Sequence, residues 1–184
     1  MAEDKNRVCP VELAGGLDSI VRRWLQNPKK ILEPFLREGM TALDVGCGPG
    51  FFSIEMAKLV GKNGGVISAD LQEGMLQKLR DKISGTILED RIRLVKCDTD
   101  RIPVADKVDF ILTFYMVHEV PDKERFFEQL RKILNENGKL LIVEPKLFHV
   151  SKSEFSETLG VAERKGFTAG AGPKLGLSWS AVLT

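Results

Sequence analysis

The stretch that most constrains this chain is LDVGCGPGFF, residues 43–52. Apolar Leu43 and Val45 lead into Gly46, Gly48 and Gly50, after which Phe52, Met56, Leu59 and Val60 recur at helical spacing. A strand, a bare turn and a helix in that order let backbone approach a ligand, because side chains at the glycines would obstruct it. The N–H groups that open the helix, at Phe51 and Phe52, would face the ligand with the positive end of the helix dipole.

Two ligand classes use such a turn. A dinucleotide enzyme would place pyrophosphate there and favour G-x-G-x-x-G. Here the spacing is Gly46-x-Gly48-x-Gly50 with Phe at position 51, so the third dinucleotide glycine is missing. Asp70 ends a second apolar run, VISAD, 20 residues after Gly50. An acid in that place accepts hydrogen bonds from ribose hydroxyls, which serves NAD and any adenosine ligand equally. Asp44 separates the two classes. An acid two residues before the first glycine would repel pyrophosphate and attract an ammonium or sulfonium group. S-adenosylmethionine carries both groups as well as adenosine.

The rest of the chain keeps alternating. RIRLVKC, VDFILTF and KLLIVE read as a third, fourth and fifth strand. Met75, Leu76, Leu79 and Ile83 stripe one intervening helix, and Phe126, Phe127, Leu130, Ile133 and Leu134 stripe another. Ser151 and Glu154 have capping-box spacing and open a further helix that Gly166 would close. GFTAG and LGLSWSAVLT, with Leu177, Trp179, Ala181 and Leu183 alternating, are two strands with no helix between them, so one runs antiparallel. Strand–helix alternation predicts an α/β three-layer sandwich, a mostly parallel sheet with helices on both faces. Ligands bind such sheets at the carboxyl ends of the strands, near the switch point. That rule singles out Asp44, Asp70, Asp98, Phe114 to His118, and Glu144.

Ahead of the first strand, LDSIVRRWLQ sets Ile20 with Trp24 and Val21 with Leu25 at helical spacing. NPKKILEPFL follows, with Asn27 as N-cap and Pro28 at the first helical position. A chain of 184 residues carries one domain with a full core. The expected division is a helical segment, 1–38, lying over the site, and a main domain, 39–184.

A net charge of +1 gives no field that would draw the whole molecule to nucleic acid. Cys9, Cys47 and Cys97 show no CxxC spacing, and the histidines and cysteines show no metal-ligand spacing. No apolar run approaches the ~18 residues that cross a membrane, and the charged N-terminus has no signal core. A cytoplasmic protein with reduced thiols is expected.

Five segments together resemble the class I S-adenosylmethionine-dependent methyltransferases: LDVGCGPG at the first strand, Asp70 after the second, CDTDRIP after the third, VDFILTFYMVHEVPD at the fourth, and LRKILNENGKLLIVEPK through the fifth. The resemblance covers roughly residues 40–184. It implies a Rossmann-like, seven-stranded sheet ordered 3-2-1-4-5-7-6 with strand 7 antiparallel, and S-adenosylmethionine as cofactor, leaving S-adenosylhomocysteine as product. By the same resemblance Gly46, Gly48 and Gly50 lie beside the methionine and ribose, with Cys47 inside the turn as a small filler and Asp44 near the amino group. Asp70 would take the ribose hydroxyls and Leu71 would line the adenine. Asp98 would accept from the adenine amino group with Thr99 beside it, and Phe114 would offer backbone or ring surface.

Methyl transfer is an in-line displacement in which positioning dominates, and a base helps only where the acceptor carries a proton of high pKa. Tyr115 and His118 are the catalytic candidates, with Glu119, Glu144 and Lys146 on the same loops. Plainer readings stand beside them: His118 as a helix cap or packing group, Glu119 as a surface acid, Glu144 as a strand-end acid paired with Arg22, Arg23 or Lys146. Where amino-methylating relatives carry Asn/Asp-Pro-Pro-Tyr/Phe, this chain reads TFYM. With short loops and no separate recognition domain, a small-molecule acceptor is favoured over nucleic acid or protein. Two other functions stay open: a non-catalytic module that binds the cofactor or its product, and an NAD-dependent oxidoreductase, which Phe51 and Asp44 disfavour.

Overall fold

The computed structural model describes residues 27–146 and 150–184. The expected helix around Trp24, with Arg22 and Arg23, lies outside the described residues, as does most of the segment 1–38.

Asn27 caps helix α1 (Pro28–Leu32) by accepting from the Lys30 N–H at 3.2 Å, with Pro28 in its first turn. Strand β1 (Thr41–Val45), helix α2 (Ser53–Leu59), strand β2 (Gly65–Asp70), helix α3 (Glu73–Ile83), strand β3 (Ile92–Lys96) and strand β4 (Val108–Phe114) follow in turn. Then come helix α4 (Lys123–Ile133), strand β5 (Leu134–Pro145), helix α5 (Lys152–Arg164), and strands β6 (Ala169–Ala171) and β7 (Ser178–Leu183). Asp122 caps α4 through the Arg125 N–H, and Ser151 with Glu154 forms the capping box of α5.

The seven strands are ordered β3-β2-β1-β4-β5-β7-β6. β1 pairs in parallel with both β2 and β4, while β7 runs antiparallel to β5 and β6. The expected architecture is therefore the one found. The strand order reverses between the parallel neighbours β1 and β4, and the crevice at their carboxyl ends is where such sheets bind ligands.

Both faces of the sheet are covered, so its central strands are apolar on both sides. Ala42, Phe110, Leu112 and Leu141 pack under α1, α2 and α3 with Leu32, Met56 and Leu79. Leu43, Ile111, Leu140 and Ile142 alternate to the opposite face, under α4 and α5 with Phe127, Leu130 and Ala162.

Three boundaries differ from the sequence reading. Leu134, expected in a helical stripe, begins β5 and pairs with Val108, and a register shift then accommodates the Asn-Glu-Asn-Gly segment before Lys139 pairs with Phe110. The third strand starts at Ile92, because residues 89–91 form a 3₁₀ turn. Leu177 is exposed and precedes β7, leaving Ala181 and Leu183 as that strand's buried alternation.

Candidate functional site

The glycine turn is tied down from below. Gly46 and Cys47 both donate to the Ala69 carbonyl of β2, at 2.8 and 3.1 Å. All three glycines have positive φ, 71° at Gly46, 53° at Gly48 and 88° at Gly50, a region costly to residues with a Cβ. At Gly50 a Cβ would stand 2.3 Å from Leu79 Cδ1, so this residue lets the turn settle on α3. At Gly48 a Cβ would meet nothing within 4 Å.

Two carboxylates flank the turn. Asp44, buried in β1, accepts from Ser53 Oγ at 2.6 Å, which ties it to the first residue of α2. Asp70, at the end of β2, accepts from the Gly48 N–H on one oxygen and from the Gln72 N–H on the other, both at 2.8 Å. Each of its oxygens keeps a lone pair for a further donor. Burial lifts the Asp70 carboxyl above its ordinary range, opposed by those two N–H groups and by Lys96.

Above the strand ends lies a cavity of about 390 Å³. Asp44, Gly46, Cys47, Gly48, Asp70, Leu71, Asp98, Thr99, Phe114 and Tyr115 all line it. Of the residues expected at the cofactor, Gly50 alone does not, because it faces α3. The wall beyond β3 is latched to α4: Gln129 accepts from the Ile102 N–H at 2.9 Å, and Arg125 pairs with Asp100 at 3.1 Å.

The loop after β4 is held from beneath by Glu144 of β5, which is 1% exposed. Its Oε1 accepts from the N–H groups of Met116 and Val117 at 3.2 and 2.9 Å. Its Oε2 accepts from the His118 N–H at 3.2 Å and lies 2.5 Å from His118 Nδ1. The partner of Glu144 is thus His118 with three backbone donors. Lys146 instead donates to the Gly176 carbonyl and sits 4.5 Å from the centre of the Trp179 ring.

Tyr115 and His118 are separated by this arrangement. Tyr115 lines the cavity, whereas the His118 ring turns to Glu144 and is absent from the lining. Burial works to lower the His118 pKa, but the hydrogen bond and charge of Glu144, joined by Glu119, outweigh it and raise the imidazole above its usual value. Glu119 lies 3.9 Å from His118 Nε2 and does line the cavity. Burial pushes its carboxyl up, reinforced by Glu144 and Asp70 and opposed by His118.

Cys47 and Cys97 are buried beside the cavity. Burial, with the nearby acids Asp44 and Asp70, lifts the Cys47 thiol well above its ordinary value, and burial lifts Cys97 to about 11. Among the described residues there is no cluster of three or more His, Cys, Asp or Glu suited to a metal ion. No described helix is long and apolar enough to cross a membrane.

Sequence reasoning missed Ser53, Gln72 and Ser178, each of which supports or lines the site. Gln72 stands two residues after Asp70, which is a usable signal, and Ser53 stands nine residues after Asp44, across the glycine turn. Ser178 belongs to no motif.

A family model described as "Methyltransferase domain" matches residues 36–169. A solved S-adenosylmethionine-dependent methyltransferase from Aquifex aeolicus is 29% identical with a TM-score of 0.84, over 96% of this chain and 98% of that one. A TehB-like methyltransferase from Corynebacterium glutamicum, at 18% identity, TM-score 0.71 and 94% and 92% coverage, shares the fold. Curated relatives include the ubiquinone/menaquinone biosynthesis C-methyltransferase UbiE of Haemophilus ducreyi, 30% identical over 59% of this chain and 42% of that protein. The demethylmenaquinone methyltransferase of Lactobacillus johnsonii is 33% identical over 59% of this chain and 45% of its own length. The chain therefore spans less than half the length of these curated relatives. Fold, strand order and the match over residues 36–169 place the chain in the class I S-adenosylmethionine-dependent methyltransferase family.

Proposed function

We propose that the chain transfers a methyl group from S-adenosylmethionine to a small-molecule acceptor. The observation that carries this reading is the pair of strand-end carboxylates, Asp44 and Asp70, on either side of a glycine turn that lines the cavity. The donor set fits the cofactor: Asp70 has lone pairs to spare for the ribose hydroxyls, and Asp44 offers a buried negative charge to the ammonium group. Gly46 and Gly48 bring backbone close, Leu71 and Thr99 border the adenine, Asp98 accepts from its amino group, and Phe114 lies behind the ribose and methionine. When bound, the cofactor supplies an electrophilic methyl on a sulfonium.

The chain's own part is then to hold, align and exclude water. Tyr115 borders the acceptor, and Glu119, which meets the cavity where His118 does not, is the acid–base candidate on that loop. His118 acts through its position between Glu144 and Glu119. Support for a flat, ring-bearing acceptor comes from the rings along the wall, with Phe52 and Phe114 at 4.3 Å and Phe114 and Tyr115 at 4.5 Å. The quinone-biosynthetic names of the curated relatives point the same way.

The test is to incubate the protein with methyl-labelled S-adenosylmethionine and a panel of phenols, hydroquinones, amines and thiols. The proposal expects S-adenosylhomocysteine to accumulate with one acceptor class, at a rate that Tyr115→Phe and Glu119→Gln reduce. Cofactor binding without turnover across the panel would instead favour a cofactor-sensing module.

A further inference from the structure

Tyr115 is the only non-glycine with positive φ, 60°, among the described residues. A bulky residue there is strained, and such strain persists only where the surroundings over-determine the conformation. Among the described residues, three restraints meet at Tyr115. Its N–H donates to the Val143 carbonyl at 2.8 Å. Its ring packs on Phe114. Its hydroxyl lies 2.5 Å from Ser178 Oγ.

Ser178 opens β7 opposite Pro145. It is buried, and its N–H donates to the Leu175 carbonyl. The bend before β7 is pinned in turn, because Lys146 donates from its backbone to Leu177 and from its side chain to Gly176. β7 does not adjoin β4, so the Tyr115 side chain reaches across the end of β5 to meet it.

We propose that Ser178 is a positioning residue, which fixes the Tyr115 phenol and thereby ties the closing hairpin to the wall of the cofactor cavity. The strained backbone alone would not set the ring, since χ1 and χ2 remain free to turn. A hydroxyl anchor at the far end of the side chain removes that freedom. The inference rests on the reading of the cavity as the S-adenosylmethionine site.

Tyr115 is the only tyrosine in the chain, so its hydrogen bonding can be read by ultraviolet resonance Raman spectroscopy of the unliganded protein. S-adenosylhomocysteine affinity is read beside it by calorimetry. Ser178→Ala should move the tyrosine signature toward that of a released phenol, and Ser178→Thr, which keeps a hydroxyl, should retain it. Affinity should fall about 3–10-fold in Ser178→Ala and in Tyr115→Phe, the scale of one lost hydrogen bond. The double variant should lose no more than either single one, because both remove the same contact.

An unchanged tyrosine signature in Ser178→Ala would overturn the proposal. So would additive losses, or affinities intact in both single variants. If Ser178→Ala fails to fold, Ser178→Thr and Tyr115→Phe decide the matter: a released phenol in the former, or unchanged affinity in the latter, overturns it. Failure of the unaltered protein to bind S-adenosylhomocysteine would count against the cofactor reading, while the tyrosine signature, read without ligand, still judges the pair.

Discussion

Glu144 Oε2 lies 2.5 Å from His118 Nδ1, and the same carboxylate gathers the N–H groups of Met116, Val117 and His118. One buried anion on β5 thus sets the course of the loop that forms a wall of the cavity.

Replacing Glu144 with Ala would strand these donors in a dry site. Loss of one partner from a buried charged network typically costs about 3–5 kcal/mol. Denaturant unfolding should show a loss on that scale for Glu144→Ala and a smaller one for Glu144→Gln, which keeps a carbonyl acceptor. A loss under about 1 kcal/mol in the Ala variant would contradict the anchoring role.

The same pair gives stability a pH dependence. The imidazole of His118 titrates higher in the folded chain than in the unfolded one. Its contribution is therefore complete below the unfolded value, about 6.5, and is lost as pH rises through the folded value. Unfolding free energies measured upward from pH 6 should show this decline, and His118→Gln should flatten it. An equal slope in both proteins would remove His118 as the source.

Gly50→Ala should destabilise the fold. Its φ of 88° is unfavourable to alanine, and the added Cβ would press on Leu79 at 2.3 Å. Strain and overpacking together suggest a loss of about 2–4 kcal/mol. Thermal unfolding measures it, and an unchanged midpoint would mean that the turn has room behind it.

Cys97 should be slow to alkylate. With its thiol near 11, about one molecule in a thousand carries thiolate at pH 8, against roughly a quarter for a free thiol. Iodoacetamide labelling followed by mass spectrometry should show modification far slower than in the unfolded chain. S-adenosylhomocysteine should slow it further. Rapid labelling of the native protein would show that the cavity floor opens.

Asp70→Asn should weaken S-adenosylhomocysteine binding by about 1.5–3 kcal/mol, the usual scale for hydrogen bonds to a charged group. The Asn carbonyl can satisfy only one of the Gly48 and Gln72 donors, so a thermal melt should accompany the titration. Unchanged affinity in a folded variant would remove the ribose assignment.

Much of this was legible in the sequence for a physical reason. Buried parallel strands are written as apolar runs and amphipathic helices as stripes, so Met75, Leu76, Leu79 and Ile83 announced α3, and all four are buried. The Ser151–Glu154 cap was readable because both of its partners lie within one turn. Links made across long loops were not. Nothing near Tyr115 reveals that its hydroxyl meets Ser178, 63 residues away, and nothing near Glu144 reveals that its partners lie 26–28 residues upstream. A positive φ at a tyrosine has no sequence signal either. Leu134 misled because an apolar residue ending a helix and one opening a strand look alike.

The central claim is tested most directly by calorimetric titration of the protein with S-adenosylhomocysteine, with NAD in a parallel run. The account predicts saturable 1:1 binding in the micromolar range for S-adenosylhomocysteine and no heat of binding for NAD. Binding of NAD, or of neither ligand, would contradict the reading of the glycine turn and of the two carboxylates beside it.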